Sequence, residues 1–177
     1  MNTLIANTRT LLLAFAALCL SSVGAIAAQD TKPVRDVSDF NLDKGLALDG
    51  YDPVAYFPEG GGKASKGSKS ITIVHESVTY RFATKENLEL FKKSPAKFEP
   101  MYGGWCAFSM ADENKKVDPD PKSFLVEDGR LYLFFKGWFG SGRKAWLKKG
   151  TQVMKPKADA AWQKILDETK RKKKRGN

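Results

Sequence analysis

Between Met101 and Met110 the chain reads Met-Tyr-Gly-Gly-Trp-Cys-Ala-Phe-Ser-Met, a thiol set among three aromatic rings and two thioethers behind a pair of glycines. Paired glycines let a backbone turn sharply or approach another chain closely. If that turn aims the Cys106 sulfur into a pocket with Met101, Met110 or His75, the donors are soft sulfur and imidazole, the set that suits copper(I). In the binding reading Tyr102, Gly103, Gly104, Trp105 and Phe108 shape the pocket around Cys106. The same thioethers and rings equally serve as core filler beside a glycine turn, and a free cysteine is among the most buried residue types.

Nucleophilic chemistry at Cys106 requires a base within hydrogen-bond reach, and His75 is the one imidazole in the chain. Lys115 and Lys116, close in sequence, could instead favour the thiolate. These options define the alternative function, a thiol-dependent redox enzyme or sensor. Asp118 and Asp120, each followed by proline, could face a hard cation, but the prolines suit a turn into the next strand better.

The elements that must position these residues are legible in part. Gly50 to Phe57 combines turn formers with a short apolar run, predicting a turn and a short strand. Gly60 to Ser70 is glycine- and lysine-rich and reads as a mobile surface loop. Ile71, Ile73 and His75 alternate on one face and are answered by Val78, Tyr80 and Phe82 across a tight turn at Glu76-Ser77. Thr84 is placed to cap a helix with Glu86 in its first turn and Leu88 and Phe91 on one face, ending by Ser94. A further helical turn runs from Pro95 to Phe98 with Ser94 as its cap.

Asp128-Gly129 between Phe124–Val126 and Leu131–Phe135 predicts a second hairpin through a two-residue primed turn. Helices are expected over Arg143–Lys149, ended by Gly150, and over Ala158 to about Lys170 with Ala161, Trp162 and Ile165 on one face. The sum is an α+β domain: a small, mainly antiparallel sheet built from two hairpins, with helices on one side.

At the N-terminus a single cation, Arg9, precedes an apolar run from Leu11 to Leu20 and small residues ending Ala25-Ile26-Ala27. That order is a cleavable secretory signal, and the run is shorter than the roughly 20 residues of a membrane span. The expectation is an exported chain, periplasmic or secreted. Removing 27 of the 177 residues leaves 150, and takes the net charge from +10 to +9 by loss of Arg9. Cys19 goes with the signal, so Cys106 becomes the single thiol and redox cycling between two thiols of one chain is excluded.

The expected division is a signal peptide over 1–27, a flexible lead over 28–45, one domain over 46–169 and a basic tail over 170–177. The tail, Lys170-Arg171-Lys172-Lys173-Lys174-Arg175, would attract an anionic membrane surface in an exported protein, which defines a surface-association reading; nucleic acid is not an expected partner.

Three ordered motifs carry a resemblance: Gly50-Tyr51-Asp52-Pro53-Val54-Ala55-Tyr56-Phe57; Tyr80 to Asn87 with Phe91 and Pro95; and Tyr102-Gly103-Gly104-Trp105-Cys106-Ala107. Together, over about Leu46 to Phe135, they resemble the exported YHS-domain family of bacteria. The resemblance implies a binding domain without a demonstrated reaction, and copper as the metal suspected for relatives with paired cysteines. This chain departs from that pattern, with Ala55 and Asn87 where those relatives place cysteines, so Cys106 alone carries over. The expectation is a non-catalytic binding domain for a soft metal ion such as copper, or for a small ligand, at a site that includes Cys106.

Overall fold

The computed structural model describes residues 35–138 and 140–176. The signal-peptide reading and residues 28–34 lie outside them, as do Phe139 and Asn177. No helix among the described residues is long and apolar enough to cross a membrane.

The α+β class holds, with a difference in how the strands are grouped. β1 (Leu42–Asp43) and β2 (Leu46–Ala47) form a small antiparallel pair, and β2 lies parallel to β4 (Val78–Phe82), which pairs antiparallel with β3 (Ser68–His75). These four strands make one sheet in the order β1-β2-β4-β3, whereas β5 (Asp120–Glu127) and β6 (Arg130–Phe134) form a separate two-stranded sheet. The two hairpins therefore do not share a sheet. A third, minimal hairpin joins β7 (Lys136–Gly137) to β8 (Gly140–Ser141).

Local chemistry explains both long hairpins. Glu76 and Ser77 adopt φ of 44° and 71°, and Asp128 and Gly129 adopt 50° and 67°. Positive φ at both central residues is the primed turn, whose twist matches that of the flanking strands. In β4 the alternation predicted for Val78, Tyr80 and Phe82 is met, all three being buried.

α1 (Lys85–Lys93) starts where Thr84 Oγ1 accepts a hydrogen bond from the Asn87 amide at 3.1 Å. Such a cap stabilises a helix by about 1 kcal/mol. α2 (Pro95–Phe98) follows with proline at its start, but Ser94 makes no side-chain capping bond. After a 3-10 turn over Met101–Gly104 comes α3 (Ala107–Glu113), which the sequence pattern did not predict. α4 (Gly142–Lys149) matches the expected short helix ended by Gly150.

α5 runs from Thr151 to Gly176, well beyond the expected span at both ends. Pro156 falls early in it and removes one backbone donor. Burial of Met154, Ala158 and Ala161 in the core that α5 shares with α3 and α4 offsets that loss. The basic tail, expected to run out into solvent, is instead the last turns of this helix, where the Lys173 ammonium sits 2.6 Å from Asp36.

Two cores meet across β6. Leu131 and Leu133 point into a cluster with Val54, Phe57, Tyr80, Phe82, Phe91 and Phe98 on the side of the four-stranded sheet. Tyr132 and Phe134 point the other way, among Cys106, Met110, Trp146 and Met154 on the helical side. A strand buried on both faces has no polar alternation, which accounts for the unbroken apolar run from Leu131 to Phe134.

Three further expectations need correction. Residues 35–45, read as part of a flexible lead, are built into the domain: Asp39 is buried, and its carbonyl accepts from Trp105 Nε1 at 2.6 Å. The turn expected over Gly50–Phe57 is present, but no strand accompanies it beyond a single bridge between Tyr51 and Lys66. The segment read as a mobile loop ends early, because β3 already begins at Ser68.

Candidate functional site

The glycine turn is as sharp as its sequence suggests. Tyr102, Gly103 and Gly104 take successive φ of 56°, 60° and 90°. Left-handed backbone is inexpensive only for glycine, so Tyr102 must be held there by its surroundings. Its ring is buried near Tyr132, and its hydroxyl donates to Asp159 at 3.0 Å. Burial, with Asp159 beside it, pushes the Tyr102 hydroxyl above its usual pKa and keeps it a neutral donor.

That turn forms one wall of a cavity of about 270 Å³. Phe40, Leu42, Leu48 and Trp162 also line it, with Tyr80, Glu99 and Arg130 as polar groups. The volume lies just below the usual range for ligand pockets, about 300–1,000 Å³, and the mix of apolar walls with a few polar groups is what such pockets share. A side chain at Gly103 would invade the wall, since an added Cβ would come within 2.9 Å of Trp162 and 3.1 Å of Phe40.

The polar corner is pre-ordered. Glu99 accepts from both terminal nitrogens of Arg35 at 2.7 Å each and from the Tyr80 hydroxyl at 2.6 Å. Burial alone would raise the Glu99 carboxyl; the hydrogen bonds from Arg35 and Tyr80, with the charges of Arg35 and His75, outweigh it and hold the carboxyl below its usual pKa. Glu99 is thus a fixed anion at the cavity wall. Arg35 Nε also lies 3.3 Å from Glu76 but without a hydrogen-bonding angle, so the pairing with Glu99 is the one that orders the guanidinium.

The thiol is elsewhere. Cys106 is fully buried in the helical-side core, bridged to Leu133 of β6. Its sulfur accepts from the Phe135 amide at 3.2 Å and contacts Ser109 Oγ at 3.5 Å. Gly142 closes the other side, because a Cβ there would stand 3.3 Å from the sulfur.

The expected site residues therefore separate. Met101, Tyr102, Gly103 and Gly104 line the cavity, while Cys106 and Met110 are fully buried in the helical-side core. Trp105 is committed to the Asp39 carbonyl, and Phe108 packs near Phe135 with Lys149 over its ring. His75 lies edge-on to Phe91, which belongs to the other core from Cys106. The structure does not bring His75 to the thiol. Among the described residues no group of three or more histidine, cysteine, aspartate or glutamate side chains is arranged to hold a metal ion.

Asp118 and Asp120 lie on the lead into β5, where Asp120 accepts from the Lys122 amide at 2.9 Å as in a turn. Phe40, Glu99, Arg130 and Trp162 went unrecognised as site residues because they come from four segments far apart in the chain. Only Trp162, on the apolar stripe of the last helix, carried a signal.

Ala55 and Asn87 also meet in space. Asp52, fully buried, accepts from the amides of Val54 and Ala55 at 2.8 and 3.2 Å, from the Ala83 amide at 2.7 Å and from Asn87 Nδ2 at 2.7 Å. Ala55 and Asn87 are thus both tied to one carboxylate in a structural role.

Comparison with protein-family models, with curated proteins and with solved structures returned no match.

Proposed function

We propose that the chain is an exported, non-catalytic binding domain of the YHS-like type, holding a small, mainly apolar ligand in the cavity beside the Tyr102-Gly103-Gly104 turn. The observation that carries this reading is the joining of that turn to Glu99, Tyr80 and Trp162 around one space of about 270 Å³. Export rests on the N-terminal pattern of Arg9, Leu11–Leu20 and Ala25–Ala27. The apolar walls supply affinity through burial, and Glu99 and Arg130 orient the ligand's polar end. Copper(I) at Cys106, or reaction at the thiol, would require its enclosure to open. For that reason the cavity and not the thiol carries the function.

The test is a thermal-shift screen of small aromatic and aliphatic acids, amines and amides against the wild-type protein and Ala96→Trp. Ala96 is exposed on α2 at the cavity rim, so the larger ring closes the mouth without entering the core. Compounds that stabilise the wild type and not the variant bear the reading out. Compounds that stabilise both equally bind elsewhere, and a screen with no stabilising compound also counts against it.

A further inference from the structure

From Lys136 to Lys157 the chain carries seven cations, Lys136, Arg143, Lys144, Lys148, Lys149, Lys155 and Lys157, and not one carboxylate. The same segment holds three of the most exposed large apolar side chains among the described residues: Trp138 at 97 %, Val153 at 53 % and Leu147 at 49 %. Trp138 stands in the turn of the β7–β8 hairpin, whose return strand runs directly into α4 through the capping residue Ser141.

In α4 the buried Trp146 fixes which side faces inward. Lys144 and Lys148, four residues apart, then share the outer side with Leu147 flanking them. Lys149 is committed to Asp112, but Arg143, Lys144 and Lys148 are exposed. An exposed tryptophan in one short segment with exposed lysines is the composition of an interfacial anchor: the indole enters the headgroup region while the ammonium groups meet anionic phosphates.

We propose that the Trp138 hairpin and the outer face of α4 dock the protein on an anionic lipid bilayer. The charge complementarity selects the occupant, because a segment of seven cations without a carboxylate repels a second copy of itself and has no pairing with a neutral bilayer. The basic end of α5 is a different element, drawn toward the N-terminal segment by the pairing of Lys173 with Asp36. Docking through Trp138 is independent of the cavity and of Cys106.

The experiment is co-sedimentation with vesicles of phosphatidylglycerol and phosphatidylcholine, against phosphatidylcholine alone, for wild type, Trp138→Ala and Lys144→Glu/Lys148→Glu. All three proteins carry the same N-terminal segment, so its contribution cancels. Trp138 touches no core, and circular dichroism checks that each variant keeps its fold. Trp138→Ala is expected to bind anionic vesicles at least about tenfold more weakly, from the loss of a large apolar ring. The double charge reversal is expected to lose more, each cation being worth about fivefold at an anionic surface. Quenching by brominated phosphatidylglycerol should appear in the wild type and fall away in Trp138→Ala. Equal vesicle binding and equal quenching by wild type and Trp138→Ala would overturn the proposal, as would equal binding to neutral vesicles or a change confined to self-association.

Discussion

Arg35 and Glu99, 64 residues apart, meet as a two-pronged pair in which each carboxylate oxygen takes one guanidinium nitrogen at 2.7 Å. The pair fastens the start of the described chain to the cavity wall and holds a carboxylate anionic where a ligand would find it.

That pairing sets a pH dependence. The Glu99 carboxyl has a folded pKa below its unfolded value, so its contribution to stability is complete above the unfolded value near 4.5 and is lost as pH falls through the lowered folded one. Arg35→Met should therefore destabilise the protein by about 1–2 kcal/mol at neutral pH, a figure kept low because the pair is partly solvated. The difference between wild type and variant should shrink below pH 4.5. Urea melts at neutral and acidic pH measure both effects, and a difference that stayed constant into acid would remove Glu99 from the explanation.

Asp52 should be among the most sensitive positions in the chain. Its carboxylate accepts from three backbone amides and the Asn87 side chain; Asp52→Ala would strip that partner from the Val54 and Ala83 amides and from Asn87 Nδ2, while the Ala55 amide keeps the Asp52 carbonyl. The expected cost is about 3–5 kcal/mol, against about 1–2 kcal/mol for Asn87→Ala, which removes one donor. Chemical denaturation of both variants checks the ratio; similar small losses would mean that water replaces the carboxylate.

Cys106 should resist alkylation in the native state and react only as the protein opens. Enclosure by the Phe135 amide, Ser109 and Gly142 leaves no path to the sulfur. Iodoacetamide labelling should then rise with urea in step with global unfolding. Replacement by serine puts a hydroxyl in a buried apolar site and should cost about 1–3 kcal/mol. Fast labelling of the folded protein, or copper(I) binding that vanishes in Cys106→Ser while the fold persists, would restore the thiol as the functional group.

Gly103→Ala tests the cavity wall. The position has φ of 60°, and a methyl group there meets Trp162 at 2.9 Å. Left-handed strain and the collision together should cost about 2–4 kcal/mol. Fluorescence should report displacement of Trp162 even where the variant stays folded, and an unchanged melting temperature would show that the turn is looser than its dihedrals imply.

The elements legible in the sequence were those set by interactions within a few residues. Thr84 caps α1 because its hydroxyl needs only the amide of Asn87, and Asp128-Gly129 turns its hairpin because positive φ is a property of the dipeptide. Alternation in β4 reported one buried face. Where burial came from elsewhere the same logic gave less, and β6 was legible from its turn and not from its period. β6, buried on both faces by two cores, has no alternation to read; α5 passes through Pro156 because packing on α3 outweighs one lost backbone bond.

By itself the sequence determined the α+β class, the two long hairpins, the sharp turn at Gly103-Gly104 and a net positive charge. Only the tertiary structure decided what the turn faces. It placed Cys106 inside a core and put Glu99, Tyr80, Arg130 and Trp162 around the cavity instead. The reason is physical: backbone preference and hydrophobic period act over a turn or two of chain, whereas a site is made by side chains such as Arg35 and Glu99, whose meeting depends on every element folded between them.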